Sequence, residues 1–146
     1  MKYNSYSKRD PIKNYFPLPN EIFCLGLSSG EISVYSYLLY CEDRKPFQCY
    51  PSYRTIGNAL KISKNTVQKY VAGLEEKGLI ATVPTKILKS DGKRYNGNLR
   101  YTIRPIEEAK EQYLQSQLRQ AELAMVQATA KRQLEEYGRK HRSKAM

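Results

Sequence analysis

The sequence predicts a mainly α chain of the α+β class, with short helices, a small β-hairpin and one long C-terminal helix. Three observations carry this. "SSGEISVYSYLLY", "SYRTIGNAL" and "SKNTVQKYVAGLEEKG" each repeat apolar residues at helical spacing behind a serine cap. "LIATVPTKIL" and "LRYTIRP" change to strand patterning around "KSDGKRYNGN", which holds both Asp-Gly and Asn-Gly. From Ile106 to Tyr137 there is neither Pro nor Gly, in a stretch rich in Ala, Glu, Gln, Leu and Arg.

Residues 1–15 are polar and basic and are expected to form a flexible arm. "YFPLPNEIFCLGL" then brings Phe16, Leu18, Ile22, Phe23, Leu25 and Leu27 between prolines, which suits an irregular segment laid on the core. Ser28 and Glu31 fit a capping box, opening a first helix from about Ser29 to Glu42. It should bury Val34, Leu38 and Cys41, with Ile32, Tyr35 and Leu39 widening the face. "EDRKPFQCYP" is a loop with a short strand around Phe47 to Cys49.

Ser52 caps a second helix, Tyr53 to about Leu60, with Ile56, Ala59 and Leu60 turned inward. "KIS" makes a tight turn whose Ile62 plugs the core, Ser63 caps the third helix, and Gly78 stands where a C-cap residue would. Two short helices across so tight a turn are a helix-turn-helix pattern. Beyond it, Pro84 makes the first hairpin strand an edge or interrupts it. The second strand alternates Leu99, Tyr101 and Ile103 with Arg100, Thr102 and Arg104. The long helix is expected over 106–138 and a basic tail over 139–146, with Glu107, Glu108 and Glu111 at the helix start, as the dipole favours.

A chain of 146 residues suits one compact domain, here 16–105, with extensions. Lys and Arg number 25 against 14 acidic residues, a net charge of +11 that favours a polyanionic partner. The excess concentrates between Ser28 and Pro105, where 13 basic residues face 6 acidic ones. Three cysteines without a CxxC pair indicate neither a disulfide framework nor a zinc site, so no metal and no cofactor is expected. One histidine, His141, no acidic cluster and no GxxxxGK[ST] argue against metal-assisted strand cleavage and ATP-driven work, so the chain reads as a non-enzyme. No apolar run approaches the roughly 20 residues that cross a bilayer, and the expectation is a cytoplasmic protein with no membrane role.

On a helical wheel the third helix places Val67, Tyr70, Val71 and Leu74 together. Asn65, Lys69 and Ala72 fall opposite, flanked by Thr66 and Gln68. Asn or Gln can bond an adenine edge at two points and Lys can reach guanine acceptors, so Asn65, Thr66, Gln68 and Lys69 are the candidate base-contacting residues of a helix lying in the major groove. Phosphate contacts are expected around that face: Ser52, Tyr53 and Arg54 at the start of the second helix, and Ser63 and Lys64 at the start of the third. The hairpin adds Lys89, Lys93, Arg94 and Arg100, its tip either following the backbone or entering the minor groove.

The stretch "YPSYRTIGNALKISKNTVQKYVAGLEEKGLI", with "LGLSSGEISVYSYLLY" before it, resembles the winged helix-turn-helix domains of bacterial and phage regulators. The likeness is strongest to those of replication-initiation and replisome-organiser proteins of mobile elements. It covers roughly Phe16 to Pro105 and rests on Ser63, Thr66, Val67, Leu74, Gly78, Leu79 and Ile80. The resemblance implies that Ser63 to Lys69 enter the groove. The expected function is sequence-specific binding of double-stranded DNA, for transcriptional control or origin recognition. The alternative is a protein-interaction adaptor docking a replication or conjugation partner.

The long helix carries two apolar stripes. Leu114, Leu118, Ala121, Met125 and Ala128 follow a 4-3-4-3 spacing, and Leu123, Val126, Ala130, Leu134 and Tyr137 form a second, displaced stripe. Burial against a second copy through Leu114, Leu118, Ala121 and Met125 gives a homodimer; packing on its own domain is the other use. A solvated helix held by pairs such as Glu135 with Arg139 and Glu136 with Lys140 is the third.

Overall fold

The computed structural model describes residues 15–42 and 47–145, so the expected N-terminal arm lies outside the described residues up to Asn14. The chain divides into two units after Lys110. A 3-10 turn, Asn20–Cys24, places Ile22 fully inside. Phe23, which the sequence also offers to the core, is 73% exposed. Helix α1 runs Ser29–Tyr40, and the Ser28 capping box is complete: the Glu31 N–H donates to Ser28 Oγ, and the Ser28 N–H donates to Glu31 Oε1. Val34, Tyr35 and Leu38 form its buried face, while Cys41 closes the helix as its C-cap and is only half-buried.

Strand β1 is Gln48–Cys49, α2 is Tyr53–Leu60 and α3 is Lys64–Glu76. Between α2 and α3 the backbone turns through Lys61 in the left-handed region, at φ 60°. A glycine would suit that position better. Ala59 is exposed rather than turned inward, because the buried arc of α2 centres on Ile56, Gly57 and Leu60 and position 59 falls about 100° away from it.

After Gly78 come β2 (Ile80–Val83), β3 (Lys86–Leu88), β4 (Arg94–Asn96) and β5 (Arg100–Ile103). Pro84 interrupts the first expected strand, since it cannot donate to a ladder. The consequence is two sheets. One has the order β1-β5-β2 with β5 central, pairing Cys49 with Tyr101 and Ile80 with Ile103; the other is the two-stranded hairpin β3-β4. Helices α1, α2 and α3 with this sheet and hairpin make a winged helix-turn-helix, an α+β fold. Val67, Val71 and Leu74 of α3 meet Val34, Leu38, Ile56, Leu79 and Tyr101 in one core.

Helix α4 spans Ile106–Ala145, beyond the expected end at Gly138. A glycine inside a helix costs about 1 kcal/mol and stops it only where it takes the left-handed cap, which Gly138 does not. Instead, Arg142 Nε donates to the Gly138 carbonyl and the His141 ring stacks on Tyr137 at 3.8 Å between centroids. The Glu135–Arg139 and Glu136–Lys140 pairs do not form; among the described residues the ion pairs of this helix and its approach are Arg104–Glu108 and Lys110–Glu107. No described helix is long and apolar enough to cross a membrane.

Glu31 is the one charged residue in the buried set among the described residues. Its carboxylate takes the Lys77 ammonium at 2.8 Å, and Lys77 Nζ also donates to the Gly26 carbonyl. Burial raises the carboxyl pKa, but the bonds from Lys77 and Ser28 and the Lys77 charge outweigh it and leave the group below its ordinary 4.5. A depressed carboxyl contributes stability above its unfolded value and loses it as pH falls through the folded one. Glu31→Gln should therefore lower the unfolding free energy by about 1–2 kcal/mol at pH 7. In urea titrations the gap from wild type should close as the pH drops below 4.5.

Candidate nucleic-acid interface

The same local device starts both helices of the helix-turn-helix. Ser52 Oγ accepts the Thr55 N–H at 3.0 Å and shares a hydrogen bond with Thr55 Oγ1 at 2.9 Å. Ser63 does the same with Thr66, at 3.2 Å to the N–H and 2.8 Å to Oγ1. A Ser-x-x-Thr pair therefore satisfies one orphan donor at each N-terminus and fixes the entry of the chain. The Thr66 hydroxyl, a candidate base contact, thus shares one hydrogen bond with its cap and keeps the rest of its bonding capacity.

Along α3 the buried and exposed residues separate cleanly. Val67, Val71 and Leu74 are buried, whereas Asn65, Gln68, Lys69 and Ala72 are exposed on the other side, with Thr66 and Tyr70 half-buried at the edges. A single polar face with two amides and an ammonium, closed by a small alanine, leaves its hydrogen-bonding capacity to whatever approaches it. Glu75 and Glu76 mark the far end, and Glu75 accepts from Thr82 Oγ1 at 3.0 Å.

Ser52, Tyr53, Arg54 and Lys64 line one cleft of about 230 Å³ together with Asn98 and Tyr101. The start of α2, the start of α3 and the base of the hairpin thus converge. Asn98 was not singled out from sequence, yet it holds this corner: its Nδ2 donates to the Tyr50 carbonyl at 3.1 Å and its own carbonyl accepts from Thr85 Oγ1. An Asn after Asn-Gly reads as turn composition, which hides the role. Burial first, and the Glu75 charge second, raise the pKa of Tyr53, so its phenol stays a neutral donor.

Arg100 does not join this group. It alternates with Tyr101 along β5 and so lies on the other sheet face, half-buried, with Nε out of solvent and without a hydrogen-bond partner among the described residues.

Lys89, Lys93 and Arg94 are exposed at the hairpin tip, which turns at Asp91-Gly92 with Gly92 at φ 79°. The Asn96-Gly97 pair instead closes the other end of β4, where the Gly97 N–H donates to the Thr85 carbonyl at 2.8 Å. Asp91 organises the tip, accepting from the Lys93 N–H at 2.9 Å and the Tyr95 hydroxyl at 2.6 Å; Lys89 Nζ lies 4.4 Å from the centre of the Tyr95 ring. The cations are thus mounted on a stiffened turn.

The Tyr95 hydroxyl and then the Lys93 N–H hold the Asp91 carboxyl below its ordinary value, while Asp91 raises Tyr95 in return. Tyr95→Phe should move the Asp91 midpoint up toward 3.8 in a carbon-detected NMR titration.

Residues 25–80 match a family described as a helix-turn-helix domain, a stretch that holds α1, α2 and α3. No curated protein matches the chain. Among solved structures it is similar to a possible transcriptional regulator from Methanosarcina mazei Go1, at 20% identity over 70% of this chain and 80% of that one, with a TM-score of 0.47. It is also similar to a MarR-family transcriptional regulator from Silicibacter pomeroyi, at 17% identity over 75% of this chain and 74% of that one, with a TM-score of 0.37.

Proposed function

We propose that this chain binds double-stranded DNA sequence-specifically in the cytoplasm, as a transcriptional regulator or as an origin-recognition protein of a mobile element. One observation carries the reading: α3 buries Val67, Val71 and Leu74 and leaves Asn65, Gln68 and Lys69 as one exposed polar face. An α-helix fits the major groove, where amides and an ammonium discriminate base edges. Ser52, Tyr53, Arg54 and Lys64 in their cleft, with Ser63 beside it and Lys89, Lys93 and Arg94 on the hairpin, then meet phosphates on either side. The match to a helix-turn-helix family and the net charge of +11 support this reading.

Base and phosphate contacts separate experimentally. Asn65→Ala or Gln68→Ala should cost about 1–3 kcal/mol on the preferred sequence and relax the choice of particular bases in a binding-site selection. Lys93→Ala or Arg94→Ala should weaken all sequences alike and lower the salt slope, which for the whole protein should reflect about four to seven phosphates. Fluorescence anisotropy across a salt series reads both; a flat salt response contradicts the reading.

The second unit supplies a partner surface. Leu114, Leu118 and Met125 are 54%, 56% and 71% exposed, Ala121 is exposed between them, and Leu123, Val126 and Leu134 of the second stripe are equally open. In this reading two copies pair along the stripe of Leu114 and present two α3 helices to a two-fold site. Sedimentation should give a dimer for the full chain and a monomer for a chain ending at Pro105. Monomers for both at tens of micromolar, roughly the range of a weak interface, contradict pairing.

A further inference from the structure

Two paired α4 helices can run parallel or antiparallel, and the charges along their seam choose between the two. Extended in both directions, the 4-3 spacing of the Leu114 stripe takes in Glu107 and Glu111 before it and Arg132, Glu135, Arg139 and Arg142 after it. All of these positions are exposed. Ala109, the buried residue at the helix start, lies about 140° around the helix from Leu114, so burial there uses another side.

A parallel pair of identical chains sets each seam residue against its own copy. Glu107 and Glu111 would meet acids, and Arg132, Arg139 and Arg142 would meet bases, at close range and partly out of water. An antiparallel pair sets each a position of the heptad against a d position of the partner helix. Leu114 of one copy then meets Met125 of the other, Leu118 meets Ala121, Glu111 meets Ala128 and Glu107 meets Arg132, each twice. No like charges face each other in that seam. Sliding by one heptad puts Leu114 on Arg132 or Met125 on Glu107, so this register buries the stripe best.

The edges of the seam weigh less. A parallel pair would gain Lys131 with Glu136, and the antiparallel one brings Lys110 toward Lys131. Lys110 already has Glu107 at 3.4 Å, and with Glu108 and Glu111 that end stays net negative where it meets Lys131 and Arg132.

We propose that α4 pairs antiparallel with α4 of a second copy, in the register that joins Glu107 to Arg132. This rests on the pairing read above and adds its direction and register. The overlap runs from Ile106 to Gln133, so the two chains enter it from opposite ends, about 40 Å apart at 1.5 Å per residue.

Two measurements on the full chain test the direction. In sedimentation equilibrium at low salt, Glu107→Lys and Arg132→Glu should each weaken the dimer about threefold to tenfold, since the pair occurs twice and becomes a repulsion. The double variant should recover wild-type affinity, although it carries both substitutions. In a parallel pair each substitution only exchanges one self-contact for another, and the combination recovers nothing. The second measurement is disulfide cross-linking after Cys24→Ser removes the exposed thiol; Cys49 is buried and burial raises the Cys41 thiol, so neither competes. A Glu111→Cys chain mixed with an Ala128→Cys chain should give the mixed link, and neither chain alone should link to itself. Self-links at both positions without the mixed link, or a double variant no tighter than the single ones, would overturn the direction and leave the pairing standing. Monomers throughout would overturn both.

Discussion

Two glycines set where α3 stands. A Cβ on Gly30 of α1 would fall inside the ring of Tyr70 on α3, and a Cβ on Gly73 of α3 would fall inside the carboxylate of Glu31 on α1. Each helix therefore receives a side chain of the other where it has none of its own, and the two axes approach more closely than ordinary residues allow. The lock is reciprocal, so neither helix can roll without driving a ring or a carboxylate into backbone. Glu31 adds polar closure, joining the start of α1 through Ser28 to the end of α3 through Lys77. Which side of α3 faces outward follows from this crossing.

With α3 fixed, the rest of the surface is placed by short-range chemistry. The Ser-x-x-Thr caps orient the two N-termini, and Asn98 ties the hairpin base to the segment entering α2. Lys64 and Arg54 consequently share a cleft although they belong to different helices. The hairpin tip is independent of the core, its exposed strands held by the Asp91 bonds rather than by burial. A two-stranded ribbon alone is marginal in water, so those bonds matter more there than they would in a sheet.

The elements with local causes were legible in the sequence. Capping serines, the 3.6-residue pattern of Val67, Val71 and Leu74, and the break at Pro84 each act within a few residues, and each is found where the pattern puts it. The exposed face of α3 was legible for the same reason. What was hidden depends on contacts across the chain: Lys77 and Glu31 are 46 positions apart, and nothing in either neighbourhood announces the pair. The half-burial of Arg100 was hidden because alternation tells which face a residue takes but not which face is covered. The helix runs past its expected bound at 138 because a glycine in the sequence carries no information about whether the left-handed cap is actually used.

The central claim is that the outward face of α3 reads base edges in the major groove, and methylation interference tests it most directly. Duplexes selected by the full chain from a random pool would be methylated at guanine N7, a major-groove acceptor, and sorted into bound and free fractions. The account predicts that methylation at a few guanines of the selected site excludes binding, and that Lys69→Ala removes the effect at one of them. Failure of any sequence to emerge from the pool, or binding indifferent to N7 methylation throughout the site, would contradict it.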